Sequence, residues 1–326
     1  MRRFARPKVV VSQCLGFEAC RWNGATIPDD FVNALKPFVD FHTVCPEVEI
    51  GLGVPRNSIR IVQEPEGNLR LRQQVTERDV TEEMVTFSER FLGSIGKVDG
   101  FILKSRSPSC GIKDSKVYPG MGKVASLKSS AGFFGGAVLR RFPGIAIEDE
   151  GRLNNERLWD HFLKRIFTVA RFDETMSNGG MSDLVEFQAE NKLVLMSYSQ
   201  KEMRVLGRTV ANREKKPVGD VLSEYREHLL LALSKMPRPS SNINVCMHML
   251  GYFSESLTKQ EKDFFLESLD RYRNGVIPLA VLTNIVKSWA LRFNTEYLLQ
   301  QTYLEPYPES LSAVIPKGEA RELRNP

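Results

Sequence analysis

The segment Val98-Asp99-Gly100-Phe101-Ile102-Leu103-Lys104-Ser105-Arg106-Ser107-Pro108-Ser109-Cys110-Gly111 changes character once, after Leu103. Up to that point it runs into a short apolar stretch, the pattern of a strand buried in a parallel sheet. Beyond it the chain is polar and irregular. Pro108 keeps the loop from extending as regular structure, and Gly111 permits close backbone approach. The same pairing of an apolar run with a cysteine-bearing loop occurs twice upstream. Lys8-Val9-Val10-Val11-Ser12 reads as a strand followed by Cys14, and Phe38 to Val44 as a strand followed by Cys45. Downstream, Gly144-Ile145-Ala146-Ile147 reads as a fourth strand. Thr81 to Ile95 has helical spacing, with Met84, Val85, Phe87, Phe91 and Leu92 as its apolar stripe. Ala131 to Arg141 reads as a small-residue helix stopped by Pro143-Gly144.

Strands separated by helices indicate an α/β fold with an open, mostly parallel, Rossmann-like sheet. After Phe172 the strand signals vanish. The polar, Gly-rich run through Asp183 reads as a linker, and Leu184 to Arg208, Val218 to Lys235, Val245 to Leu257, Lys259 to Arg273 and Pro278 to Leu298 all carry helical periodicity. The expected organisation is an α/β domain over 1–170, a linker over 171–183 and an all-α domain over 184–326, with a charged, frayed tail after Pro316. A chain of 326 residues accommodates two such domains, and 42% hydrophobic with 26% charged residues excludes wholesale disorder. The net charge of +5 permits a polyanionic partner without demanding one. No apolar run approaches the ~18 residues of a membrane span. Arg2, Arg3 and Arg6 precede an apolar run too short for a signal peptide, so a cytoplasmic location is expected.

Four of the five cysteines, Cys14, Cys20, Cys45 and Cys110, lie in the first 110 residues. Their odd total and wide spacing argue against a disulfide framework. Cys14, Cys45 and Cys110 each follow the carboxyl end of an expected parallel strand, where open α/β sheets form their ligand crevice. One alternative is that they are buried thiols acting as small hydrophobes. The paired C-x-x-C spacing of structural zinc sites is absent, since Cys14 and Cys20 are six residues apart. An iron–sulfur cluster accepts scattered thiolates, and three of them leave one iron open to a substrate.

Val11-Ser12-Gln13-Cys14-Leu15-Gly16 with Cys20-Arg21-Trp22-Asn23-Gly24, Val44-Cys45-Pro46-Glu47-Val48, Gly51-Leu52-Gly53-Val54-Pro55-Arg56 and Phe101 to Gly111 together resemble the TudS-type thiouracil desulfidases over roughly residues 8 to 155. The second half resembles the YbgA-like helical domain through Asn242-Ile243-Asn244, Gly251-Tyr252-Phe253, Glu261-Lys262, Tyr272-Arg273, Ile277-Pro278-Leu279, Tyr297-Leu298 and Pro306-Tyr307-Pro308. The fusion is similar to the two-domain RudS desulfidases. That family often opens its helical domain with histidines, which Phe187-Gln188-Ala189-Glu190-Asn191-Lys192 lacks.

The resemblance implies a 4Fe-4S cluster on Cys14, Cys45 and Cys110, and non-redox removal of sulfur from a thiolated uracil as nucleobase, nucleotide or 4-thiouridine in tRNA. It implies Glu47 as the proton-transfer group and Ser107 as a hydrogen-bonding or relay hydroxyl. The role of Cys20 stays open. Glu47 reads alternatively as a charge at a helix N-terminus, and the serines as loop caps. Lys104 and Arg106 read as anion ligands or ion-pair partners, and Arg140 and Arg141 as charges offsetting a helix dipole. Asn212-Arg213-Glu214-Lys215-Lys216-Pro217, with Arg204 and Arg208, is a candidate phosphate-backbone surface or a solvated loop. Tyr252, Phe253, Trp289 and Phe293 read as packing aromatics, His228 and His248 as surface or core residues, and Cys246 as a buried thiol. The rival class is a non-catalytic cluster protein that binds RNA or senses redox state.

Overall fold

The computed structural model describes residues 2–177 and 179–312. The expected frayed tail lies outside them. The described chain divides into two compact units, 2–170 with 308–312, and the remainder from 171 to 307. Among the described residues, no helix is long and apolar enough to cross a membrane.

The first unit contains, in order, β1 (Lys8–Ser12), α1 (Asp30–Leu35), β2 (Asp40–Val44), α2 (Pro46–Glu49), β3 (Ile59–Gln63), β4 (Leu69–Gln73), α3 (Thr81–Ser94), β5 (Gly100–Leu103), β6 (Ser115–Tyr118), β7 (Lys128–Ser130), α4 (Phe133–Arg141) and β8 (Ala146–Asp149), before α5 (Glu156–Met176). One sheet has the order β2-β1-β5-β8, and every pair in it is parallel. Val9, Val10 and Val11 are fully buried, as a continuous apolar run requires of a central strand. β8 begins two residues later than expected. Gly144 has φ +89°, so it belongs to the turn that stops α4.

A second sheet, of order β4-β3-β6-β7, was not among the expected strands. Its hairpin pairs Ile59 to Gln63 antiparallel with Leu69 to Gln73. The alternation Leu69-Arg70-Leu71-Arg72 carries the period-2 signal of a half-buried strand. The arginine face is held by ion pairs, Arg70 to Asp79 (2.7 Å) and Arg72 to Glu64 (2.8 Å). α3 and α4 pack on each other through Phe87, Phe91 and Phe134, with ring centroids 5.5–6.2 Å apart. Trp159 of α5 packs on Phe31 and donates its Nε1–H to Leu311 O (3.0 Å).

The irregular stretch expected from Phe172 to Asp183 is shorter, because α5 continues through Met176. The buried Phe172 explains this: it packs on Phe187 and Tyr225, and that contact holds the last turns of the helix. The second unit continues with α6 (Met181–Tyr198), α7 (Gln200–Ala211), α8 (Val218–Ala232), α9 (Pro239–Gly251), α10 (Lys259–Arg273), α11 (Leu279–Arg292) and α12 (Glu296–Leu299). Leu184 to Arg208 is therefore two helices. Ser199 breaks them with extended backbone and caps α7 by accepting from Glu202 N–H. α9 starts six residues earlier than its periodicity indicates, because Pro239 suits a first helical position. The expected last helix is also split, at Asn294 with φ +50°.

Candidate active site

β1 is flanked by β2 on one side and β5 on the other, so the strand order reverses there and its carboxyl end faces a crevice. Cys14 follows β1, Cys45 follows β2 as the residue that precedes α2, and Cys110 closes the loop after β5. All three line one cavity of about 330 Å³, together with Cys20, Glu47, Arg56, Ser107 and Ser109. The topology thus gathers Cys14, Cys45, Cys110, Glu47 and Ser107 in one place.

The Cys110 loop is clamped from two sides. Ser107 O accepts from Gly111 N–H (2.9 Å) and from Ser115 Oγ–H (2.6 Å). The start of α4 presses on the other side, with Gly132 N–H donating to Gly111 O (2.8 Å) and Gly135 N–H to Ser109 O (2.9 Å). A Cβ at Gly135 would lie 2.3 Å from Gly111 O and 2.6 Å from Cys110 O, which only glycine avoids. Lys104 N–H donates to Ser12 Oγ (2.9 Å), tying the ends of β5 and β1 together.

Glu47 is the second residue of α2, and both its oxygens are engaged. Arg56 Nε donates to Oε2 (2.8 Å) and Ser109 Oγ to Oε1 (2.7 Å). Ser107 does not reach Glu47 directly. Its Oγ accepts from Cys110 N–H (3.0 Å) and Ser109 N–H (3.3 Å), which uses both lone pairs. Its proton therefore points to Ser109 Oγ, 2.9 Å away, and Ser109 passes its own to Glu47. The hydroxyls form a directed chain that ends on a carboxylate.

Arg56 and Ser109 had no role in the sequence reading. Ser109 adjoins Cys110, so its position offered a signal. Arg56 closes the Gly51 to Arg56 string of the family resemblance, but its pairing with Glu47, nine residues away across a non-helical loop, had no local signal. Its guanidinium also donates to Cys20 O (2.9 Å) and Gly53 O (3.0 Å) and lies 3.9 Å from Cys45 Sγ. Cys20, whose role stayed open, is in hydrogen-bonding contact with both Cys14 and Cys45. The Cys14 contact and burial outweigh the Cys45 contact and push the Cys20 thiol up to about 11. The Cys20 contact and burial likewise raise Cys45 well above the ordinary thiol range. Burial pushes Cys110 up to about 12, against hydrogen bonds from Ser12 and Ser109. Such thiols stay protonated until a bound cation compensates the thiolate. Among the described residues, no three His, Cys, Asp or Glu side chains are set to hold a single metal ion. A multinuclear centre, with each thiolate on its own iron, does not require that convergence.

The other candidates sit apart from this network or beside it. The Lys104 ammonium lines the cavity but is held by Glu150, which also accepts from Ser105 N–H and Oγ–H (2.7 Å each). Arg106 lines the cavity and donates its N–H to Asp114 (2.8 Å). Arg140 and Arg141 occupy the last turn of α4. In the second unit Lys216 pairs with Glu224 (2.9 Å) and Glu214 (3.4 Å), while Arg204, Arg208, Arg213 and Lys215 are exposed. Phe253 is buried against Trp289 and Phe293, and the exposed Tyr252 stacks on Tyr297. His228 binds Glu202 (2.7 Å), His248 is exposed, and Cys246 is fully buried.

Residues 9–150 match the family model described as 2-thiouracil desulfurase. Residues 192–308 match the model described as a protein of unknown function, DUF1722. YbgA of Escherichia coli (strain K12) is 28% identical over 162 residues, which are 49% of this chain and 96% of that protein. Among solved structures, the [4Fe-4S]-dependent thiouracil desulfidase TudS is 28% identical, covering 45% of this chain and 93% of that one, with a TM-score of 0.36. Both halves of the sequence resemblance are thereby met, a TudS-like domain fused to a YbgA-like domain.

Proposed function

We propose that the first domain is an iron–sulfur desulfidase that converts a thiolated uracil and water to the oxo base and hydrosulfide. The observation that carries this is the setting of Glu47: a carboxylate oriented by Arg56 and Ser109 in the same cavity as three strand-end thiols. The donor set fits a 4Fe-4S cluster on Cys14, Cys45 and Cys110. These are thiols on three separate loops; burial and contact keep Cys45 and Cys110 protonated when nothing compensates them, and Arg56 lies beside Cys45 to offset thiolate charge. When bound, that group supplies a thiophilic iron site that withdraws electron density from a carbon–sulfur bond.

The chain's own residues supply the proton chemistry. Glu47 takes a proton from the attacking water and returns it to the ring nitrogen or the departing sulfur. Ser109 and Ser107 hold the carboxylate in one orientation through their directed hydroxyl chain. The finer reading, 4-thiouridine within tRNA, draws on the exposed Arg204, Arg208, Arg213 and Lys215 as phosphate ligands.

The test is anaerobic reconstitution of the full chain, with iron and sulfide quantified. Hydrosulfide release is then followed from 2-thiouracil and from 4-thiouridine-containing tRNA. Glu47→Ala is expected to keep its iron and lose turnover about a hundredfold or more, the scale of a proton-transfer group. Replacing Arg213 and Lys215 by Gln is expected to raise the KM for tRNA and flatten its salt dependence while sparing 2-thiouracil. A fully loaded protein that releases hydrosulfide from neither substrate would overturn the desulfidase reading.

A further inference from the structure

The chain has three tryptophans, Trp22, Trp159 and Trp289. Trp159 and Trp289 are 3% and 7% exposed, as large aromatics in a core should be, whereas Trp22 is 48% exposed. Trp22 also lines the cavity that holds the thiols and Glu47. Among the described residues lining that cavity it is the one aromatic side chain. The others offer thiols, hydroxyls, charges, the Gln13 amide and the aliphatic groups of Val44, Ile59 and Pro108. A planar heteroaromatic ring entering there would find polar partners at its edge, and for its face one aromatic surface, the indole.

The position of Trp22 is built into the site. It sits in a tight turn closed by Gly24 N–H to Arg21 O (2.9 Å) and Arg21 N–H to Ala25 O (3.3 Å). Gly24 has φ +73°, which that turn requires. Trp22 O accepts from Arg56 N–H (2.8 Å), and the Arg56 side chain holds Glu47. One residue therefore anchors both the proton-transfer carboxylate and the backbone that presents the indole. A half-exposed tryptophan held this way gains its missing contact area when a ring covers it.

We propose that Trp22 is the stacking platform for the face of the thiolated pyrimidine ring. The proposal rests on the desulfidase reading and adds the residue that holds the face of the ring in the site. Stacking of this kind acts alike in the ground state and the transition state, so its loss raises KM and leaves kcat. Base–aromatic stacking corresponds to about 5- to 150-fold in affinity on truncation to alanine.

The test compares wild type, Trp22→Phe and Trp22→Ala as full-length, cluster-loaded protein, with 2-thiouracil as substrate. The expected result is a KM raised about 5- to 150-fold in Trp22→Ala, with kcat within twofold and iron content unchanged. Trp22→Phe, which keeps a ring, should recover most of the loss. An unchanged KM in Trp22→Ala would overturn the proposal, as would a fall in kcat together with lost iron, which would make Trp22 a prop for the cluster loops.

A second readout does not depend on turnover. Titrating the cluster-free chain with 2-thiouracil should saturably quench tryptophan emission in wild type. In Trp22→Phe only the small, unsaturable decrease from the buried Trp159 and Trp289 should remain. Saturable quenching without turnover in loaded wild type would leave the platform standing and remove the desulfidase reading. Identical quenching in wild type and Trp22→Phe would remove the platform.

Discussion

Arg56 and Glu47 form an ion pair whose side chains are only 3% and 13% exposed. Removing one partner of such a pair leaves the other charge uncompensated in a poorly solvated place, which typically costs about 3–5 kcal/mol. Arg56→Met also strips the donors from Cys20 O and Gly53 O, so its cost should lie toward the upper end. Glu47→Met strands the guanidinium and should cost a similar amount. The double substitution removes both charges and fills the space with apolar atoms, so it should be far less harmful than the sum. A coupling energy of about 2 kcal/mol or more is expected for groups in such contact. The assay is urea unfolding of the cluster-free full chain, in a Trp289→Phe background. The remaining fluorophores, Trp22 and Trp159, then both report on the first unit. At an m-value of about 3 kcal/mol/M, each single substitution should lower the midpoint by about 1–2 M. Additive effects, with coupling below about 0.5 kcal/mol, would refute the view that Arg56 holds Glu47 in place.

Replacing Cys14, Cys45 or Cys110 by Ala should abolish iron and sulfide uptake on anaerobic reconstitution, whereas Cys20→Ala should retain it. Full iron content in Cys45→Ala would reassign the ligands. Gly135→Ala forces a Cβ against Gly111 O and Cys110 O, so it should displace the Cys110 loop and lose iron binding although it touches no ligand side chain. Normal iron uptake in that variant would show that α4 does not set the loop. Burial pushes His161 down to about 4 from an ordinary 6.5, with Arg165 adding to the effect. Because its folded value is depressed, the unfolded chain binds more protons between those values, and stability should fall from pH 6.5 toward 4 by up to about 3 kcal/mol. His161→Phe should flatten that part of the stability–pH curve, and an unchanged slope would assign the acid sensitivity to other groups.

The three strand–loop–cysteine units were legible because each is local. Val9 to Val11 and Phe101 to Leu103 are short apolar runs that bury completely, and each leads into a polar loop ending at Cys14 or Cys110. Parallel strands with helices between them must cross over in one hand, so such loops collect at one end of the sheet whatever their spacing in the chain. The periodicity of α3 and of Lys259 to Arg273, which is α10, was local in the same sense. The second sheet was harder to read, because its strands are short and partly charged. Their ladder is closed by partners such as Val117, far from Ile61 in sequence. The working arrangement of the site was not legible at all. Which serine reaches Glu47 depends on a contact spanning 62 residues, and Ser109 makes it while Ser107 is occupied by two amide protons. Arg56 reaches Glu47, Cys45 and the Cys20 carbonyl only because the loops after β1 and β2 come together around it. Residue types and local pattern name the groups capable of the chemistry. Their charge state, orientation and partners come from long-range packing, because burial and hydrogen bonding depend on what the rest of the chain brings alongside.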